Sequence, residues 1–292
     1  MPRPSAVVTA LAVGLLVLAG CVSSGSPAPR AAGSPSTAAG RRGTGPSPSR
    51  PARPSKSTSP SEPAGPQPPK TTPPGPPPPS SGSPRAGATR RGPAGSIKGT
   101  GSDAVALTFD DGPDPGHTPQ ILDLLKANGV KATFCLVGFR ARDEPDLVRR
   151  IVAEGHTLCN HSWQHLLNLG QLTPDEIRHD LQQTNDAIHA AAPGAPIKYF
   201  RAPGGNFTPV LVDVARELGM RSIHWNVDPR DWDRATYGTG QPMVNHIIWA
   251  VQRYTRPGSI VLSHDAKPDT IAAYGQLLPW LKARFTLIPL PT

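Results

Sequence analysis

Cysteine is scarce: the 292 residues contain three, Cys21, Cys135 and Cys159. That is too few for a disulfide-stapled mini-protein, and the spacing excludes a four-cysteine zinc cluster. H-E-x-x-H is absent, which removes the commonest metalloprotease pattern. No apolar run reaches the roughly 20 residues of a comfortable membrane span. There is no internal repeat. Acidic residues are nearly missing from one end of the chain. Residues 1–100 hold 12 of the 30 Lys+Arg but only Glu62 of the 21 Asp+Glu, and the remainder has 18 basic against 20 acidic residues. The net charge of +9 therefore belongs to the N-terminal third. A nucleic-acid partner inferred from it would rest on the wrong segment, and none is expected.

The same end carries a processing pattern. Arg3 and the free amine precede an apolar stretch from Ala6 to Ala19, which ends in Leu18-Ala19-Gly20-Cys21. This resembles a bacterial lipobox, in which the chain is cut before a cysteine that then takes a diacylglycerol. Residues 1–20 then read as a lipoprotein signal peptide and Cys21 as the lipidated residue. The protein would sit lipid-anchored on the extracellular face of the cell membrane; the alternative is an ordinary secretory signal with an incidental cysteine. Residues 21–100 are Pro, Ser, Gly, Thr and Ala with scattered Arg and Lys, and Ile97 is almost their only large apolar side chain. Such a stretch buries too little surface to offset its ordering entropy and reads as a disordered linker. Its charge suits anionic wall polymers or lipid headgroups, or merely keeps a linker soluble.

Residues 101–292 alternate between short apolar runs and amphipathic segments. Strands are expected at 104–109, 132–137, 156–160, 197–201, 221–225, 259–263 and 285–288. Helices are expected at 118–128, near 145–154, 173–191, 208–218, 242–254 and 270–283. Thr173-Pro174-Asp175-Glu176 forms a capping box with proline at the first helical position. The alternation predicts a distorted, incomplete (β/α) barrel of about seven parallel strands, with an open doubly wound sheet as the alternative. About 190 residues suit one domain, expected to act as a monomer. Cys135 and Cys159 fall on neighbouring predicted strands; parallel pairing disfavours bridging them, so buried free thiols are expected.

Five clusters sit at strand ends, where such barrels carry their chemistry. They are Thr108-Phe109-Asp110-Asp111-Gly112-Pro113, His161-Ser162-Trp163-Gln164-His165, Arg201-Ala202-Pro203-Gly204-Gly205, Asp228-Pro229-Arg230-Asp231-Trp232 and Leu262-Ser263-His264. On a helical turn, His161 and His165 would present both imidazoles on one side, and Asp111 completes a two-histidine, one-carboxylate set. Asp110, pointing elsewhere from the same strand end, stays free to take a proton. The remaining histidines, at 117, 156, 179, 189, 224 and 246, read as structural or surface residues, with His224 nearest the barrel mouth.

All five clusters, in this order, resemble the motifs of the polysaccharide deacetylase family (NodB homology domain, carbohydrate esterase family 4) over about residues 103–290. The resemblance implies hydrolysis of acetyl groups on N-acetylglucosamine polymers or O-acetylated sugars, using one divalent cation, usually zinc, with cobalt as an alternative. It makes Asp110 the general base, His264 the general acid, and Asp111, His161 and His165 the metal ligands. Arg201 would tether Asp110 and Asp231 would tune His264. The Gly204 amide would stabilise the oxyanion, while Trp232 and Leu262 would line the acetyl pocket. Many members carry an aromatic such as tyrosine where this chain has Gly204, so the groove lacks a side wall here. The runner-up activity is an O-acetyl esterase on acetylated xylan; a catalytically inactive glycan-binding module is the non-enzymatic alternative.

Overall fold

The computed structural model describes residues 91–292; the segment expected to be a signal peptide, Cys21 and most of the expected linker lie outside them. Seven parallel strands alternate with helices. The strands are β1 (Val105–Asp110), β2 (Thr133–Leu136), β3 (Thr157–Asn160), β4 (Ile197–Phe200), β5 (Arg221–Ser222), β6 (Ile260–His264) and β7 (Leu287–Ile288). The helices are α1 (Thr118–Ala127), α2 (Gly138–Asp143), α3 (Pro145–Ala153), α4 (Pro174–Ala191), α5 (Pro209–Glu217), α6 (Arg234–Tyr237), α7 (Gln241–Tyr254) and α8 (Pro268–Lys282). Strand order is β5-β4-β3-β2-β1-β6, with β7 pairing the start of β1. Beyond β5, Val227 bridges to Val261 of β6. The sheet therefore curls into an incomplete (β/α) barrel.

Strand alternation sorts the side chains onto two faces. Phe109, Phe134 and Leu158 join the helices in the larger apolar core, in which Phe109 packs on Phe134 and Tyr274. The opposite, concave face carries Ala106, Cys135, Cys159, Tyr199 and Ile260. Its floor is closed by the last residues of the chain. The Thr157 hydroxyl donates to the Leu290 carbonyl (2.7 Å), the Tyr199 hydroxyl to that of Pro291 (2.6 Å), and the Leu290 amide to the Thr133 hydroxyl (2.9 Å). The capping box opens α4 as expected, with Thr173 and Glu176 each satisfying the other's backbone amide. Proline occupies the first turn of α1, α3, α4, α5, α7 and α8, where its missing N–H goes unneeded.

Three expectations need correction. Order reaches into the segment that composition assigns to the linker: Ile97 donates its amide to the Ser222 carbonyl and bridges to Ile223, so the one large apolar residue there docks beside β5. Cys135 and Cys159 are joined by a disulfide rather than free. They are register partners on β2 and β3 and project onto the same concave face, which brings the sulfurs together. The third concerns the two site histidines.

Candidate active site

The site is assembled at the carboxyl ends of β1, β3, β4 and β6. Asp110 ends β1 and His264 ends β6, and the two are direct register partners in neighbouring strands. Asp111 follows with φ 74°, an uncommon conformation for a non-glycine residue, and it turns the second carboxylate away from the first. Only glycine fits next: a Cβ on Gly112 would meet Asp265 Oδ2 at 2.1 Å.

His161 and His165 do converge, but from an irregular loop and not from a helix. Ser162 (φ 64°) and His165 (φ 58°) are both left-handed, and the loop is held from outside. Asn160 Oδ1 accepts from the Ser162 amide and Asp180 Oδ1 from the Trp163 amide, each at 2.9 Å, while Asn160 is itself bonded to Leu181 and Asn185 of α4. Buried side chains of β3 and α4 take those two amides while the left-handed residues reverse the backbone, so no helical turn forms.

Asp111 Oδ1 lies 3.6 Å from His161 Nε2 and 3.5 Å from His165 Nε2. The three donor atoms fall within 4.8 Å of one another. His161 Nδ1 is 2.8 Å from the Arg201 carbonyl; donation there fixes the tautomer that leaves Nε2 as a lone pair facing Asp111. Asp111 Oδ1 is buried without a hydrogen-bond partner. An orphaned carboxylate oxygen facing two imidazole nitrogens, too far for hydrogen bonds yet close enough to share an ion, fits one divalent cation with an N₂O donor set. Burial opposes the charge of Asp111, but His264, His161 and His165 outweigh it and hold its carboxyl below the ordinary range.

Two buried ion pairs flank this cluster. Arg201, fully buried, donates through Nη1 to Asp110 Oδ1 (2.7 Å) and the Thr108 hydroxyl (2.8 Å), and through Nη2 to the His224 carbonyl (3.3 Å). Its guanidinium also lies over Trp225, on which the His224 ring stacks. Asp110 Oδ2 remains free, 3.7 Å from His161 Nε2. On the other flank, Asp231 Oδ1 sits 2.6 Å from His264 Nδ1. Its Oδ2 accepts from the His264 amide (2.9 Å) and the Thr270 hydroxyl (2.6 Å). Burial disfavours the His264 imidazolium, but the charge and hydrogen bond of Asp231 prevail, with smaller help from Asp111 and Asp110, and lift its pKa to about 9. His264 is thus a cation at neutral pH, with Nε2 left to donate.

Leu262 is buried on β6, two residues before His264 and therefore on the same face. Trp232 is 47% exposed. Gly204 follows Arg201 in a 3-10 turn and makes no backbone hydrogen bond to another described residue. A Cβ there would lie 3.0 Å from Leu167 Cδ2, so this leucine borders the place where a larger residue would stand. Asp228 accepts from the Arg230 amide, a turn-forming role.

Sequence reasoning missed Asp265. It is fully buried, takes the Thr118 hydroxyl on Oδ2 (2.5 Å) and leaves Oδ1 unpartnered. Burial pushes its pKa up to about 7 despite the Thr118 bond. Pressed against Gly112, it positions the turn that carries Asp111. The signal available was an acid directly after the last residue of an otherwise apolar strand.

Comparison with known proteins follows this geometry. A chitooligosaccharide deacetylase of Sinorhizobium fredii is 38% identical over 203 residues, 65% of this chain and 91% of that protein. The family model described as Polysaccharide deacetylase matches residues 97–223. The chain belongs to the polysaccharide deacetylase family. A peptidoglycan-N-acetylglucosamine deacetylase of Bacillus cereus is 36% identical over 183 residues, 61% of this chain and 81% of the relative. Among solved structures of this family, a CE4 family pseudoenzyme from Bacillus anthracis superposes with TM-score 0.59 at 31% identity, and the match spans 66% of each chain. Fold alone therefore does not assign turnover, and the functional reading must rest on the residues at the barrel mouth.

Proposed function

We propose that this protein is a metal-dependent hydrolase that removes acetyl groups from N-acetylglucosamine-containing polysaccharide, of the peptidoglycan or chitin type. One observation carries the reading. A carboxylate base and an imidazolium acid, each fixed by a buried counter-charge, flank a convergent Asp-His-His donor set. A binding module needs neither.

Asp111, His161 and His165 would hold the cation, and two imidazoles with one carboxylate favour zinc, with cobalt as an alternative. When bound, the cation supplies polarisation of the acetyl carbonyl and acidification of water. Asp110 takes the proton of the attacking water through its free Oδ2, while Arg201 keeps Oδ1 occupied and the carboxylate in place. The free Gly204 N–H donates to the carbonyl oxygen as it gains charge. His264 gives its Nε2 proton to the departing amine, and Asp231 retains Nδ1 and stabilises the cation before the transfer. Leu262 and Trp232 receive the acetyl methyl. Attachment through Cys21 at the outer face of the membrane, or secretion, fits the disulfide, since such bonds persist in oxidising spaces. The basic segment before the domain would then meet anionic wall polymers.

The test is acetate release by the full chain from N-acetylglucosamine oligomers and from acetylated xylan, before and after chelation and return of Zn²⁺ or Co²⁺. Release from the oligomers that chelation abolishes and the ion restores is the expected result. Release from xylan alone would reassign the protein as an O-acetyl esterase. Equal turnover after full demetallation would end the metal reading.

A further inference from the structure

A continuous line of aromatic and cationic side chains leaves the catalytic rim and runs onto the outer face of α7. It begins at Trp232, next to the Asp231 that holds His264. The Arg230 guanidinium lies 5.1 Å above the Trp232 ring and 6.0 Å from that of Tyr237. Tyr237 stacks on His246 with centroids 3.5 Å apart and planes 11° from parallel. His246 is 5.8 Å from Trp249, and Trp249 meets Tyr254 edge to face at 5.6 Å. Trp232, Trp249 and Tyr254 are 47%, 52% and 51% exposed. Among the described residues these are the only large aromatic side chains so exposed; the other exposed large hydrophobics, Leu167 and Val210, lie elsewhere.

The start of the line is built, not loose. Arg230 adopts φ 53°, sparsely populated for a residue with a side chain. Its amide is held by Asp228 Oδ1 (2.7 Å) and its guanidinium by Asp233 Oδ2 (2.8 Å). The Asp233 carboxylate also caps α6, which carries Tyr237. This is a fixed platform that joins a helix face to the site without a break.

We infer that this line is an accessory track for the same glycan chain, engaging sugars several units away from the one being deacetylated. This rests on the glycan reading above and extends it from a single acetylated residue to the polymer. The chemistry selects a saccharide occupant. A pyranose presents a flat face of C–H bonds edged by hydroxyls, and an exposed ring covers the face while the hydroxyls stay wet or bond to Tyr, Trp N–H and Arg donors. A protein partner would need a closed apolar patch of roughly 800 Å². On α7 the exposed rings are instead interleaved with Asn245, Gln252 and Arg253, all exposed.

The experiment compares the full chain with Trp249→Ala, Tyr254→Ala and the double variant, and with Trp249→Phe and Tyr254→Phe, which keep a ring. Cosedimentation with insoluble chitin reads binding without turnover, and chitin carries no charge for the basic N-terminal segment to grip. Acetate release is then measured on soluble N-acetylglucosamine dimer and on long polymer. The double alanine variant should bind chitin about tenfold more weakly. Its polymer-to-dimer ratio of kcat/KM should fall in parallel, and the Phe variants should keep most of both. Wild-type binding by the alanine variants, or equal losses on dimer and polymer, would overturn the track. Ring-dependent chitin binding without any acetate release would sustain the track and sink the deacetylase reading.

Discussion

The two ion pairs beside the donor set are opposites built from the same parts. In Arg201–Asp110 a permanent cation holds the carboxylate that the proposed mechanism has accept a proton; in Asp231–His264 an anion holds the imidazolium that the same proposal has give one up. The supporting contacts differ accordingly. Arg201 divides its donors among Asp110, Thr108 and a backbone carbonyl, so it acts as a strut spanning β1 and the segment after β5. Asp231 gathers three hydrogen bonds onto one carboxylate, two of them from His264 itself. The first pair chiefly fixes a position; the second chiefly sets an affinity for protons. Positioning tolerates geometric substitutes poorly, whereas proton affinity responds to any change of charge.

Perturbing each side in turn sharpens this contrast. Asp110→Asn removes the base while keeping its shape, and acetate release should fall about 10²- to 10⁴-fold. Bound metal, measured by elemental analysis, should stay equimolar, because Asp110 is outside the donor set. Loss of metal with loss of rate would instead place Asp110 among the ligands.

Asp231→Asn should act through pH. The raised pKa of His264 keeps it charged up to about 9, so the basic limb of the wild-type kcat/KM profile should lie there. Without the buried anion, burial is opposed only by the smaller pull of Asp111 and Asp110, and the limb should move down by roughly two units. The sign for stability follows. His264 has a folded pKa above its unfolded value, so its contribution is complete below about 6.5 and is lost as pH rises through about 9. Thermal stability of the wild type should fall between those limits, and that slope should flatten in the variant. An unshifted limb would remove His264 from the proton transfer.

Arg201→Lys keeps the charge but not the fork that reaches three acceptors. A loss of about 10- to 100-fold in kcat is expected, as for other residues that orient a reacting group, with the pH limb unmoved. A shifted limb would make the two pairs alike. The mildest test is Thr270→Val, which deletes one of the three bonds on Asp231. Such a bond is worth about 1 kcal/mol, so the limb should move by less than about one unit.

Much of this architecture is readable in the chain because its strands are buried on both faces. Val105–Asp110 and Ile260–His264 are buried at every position, and so they stand out as dominantly apolar runs that turn polar only toward the site end. β5 shrinks to two residues at the open edge of the sheet, and β7 to two where it pairs only the start of β1. α2 escaped notice because Gly-Phe-Arg-Ala-Arg-Asp has little helical pattern; it forms where Gly138 passes against Trp163 and Thr184, too close for any side chain. The candidate site residues stood out because four strand ends and the turn after Val227 each carry a dense cluster. The path of His161–His165 was not, because Asp180, and the Leu181 and Asn185 groups that orient the adjacent Asn160, act on it across the fold from α4. The disulfide depended on register, and no spacing in the sequence reveals which residues of two parallel strands lie side by side.

Register has one more consequence. Asp110 and His264 occupy the same rung of a ladder between adjacent strands, and neighbouring strands in any sheet lie about 4.8 Å apart. The gap across which the proposed mechanism moves a proton is thus ruled by the peptide backbone, with side chains making only the final adjustment. A slip of one rung between β1 and β6 would turn the imidazole to the opposite face of the sheet, and no choice of rotamer would bring it back.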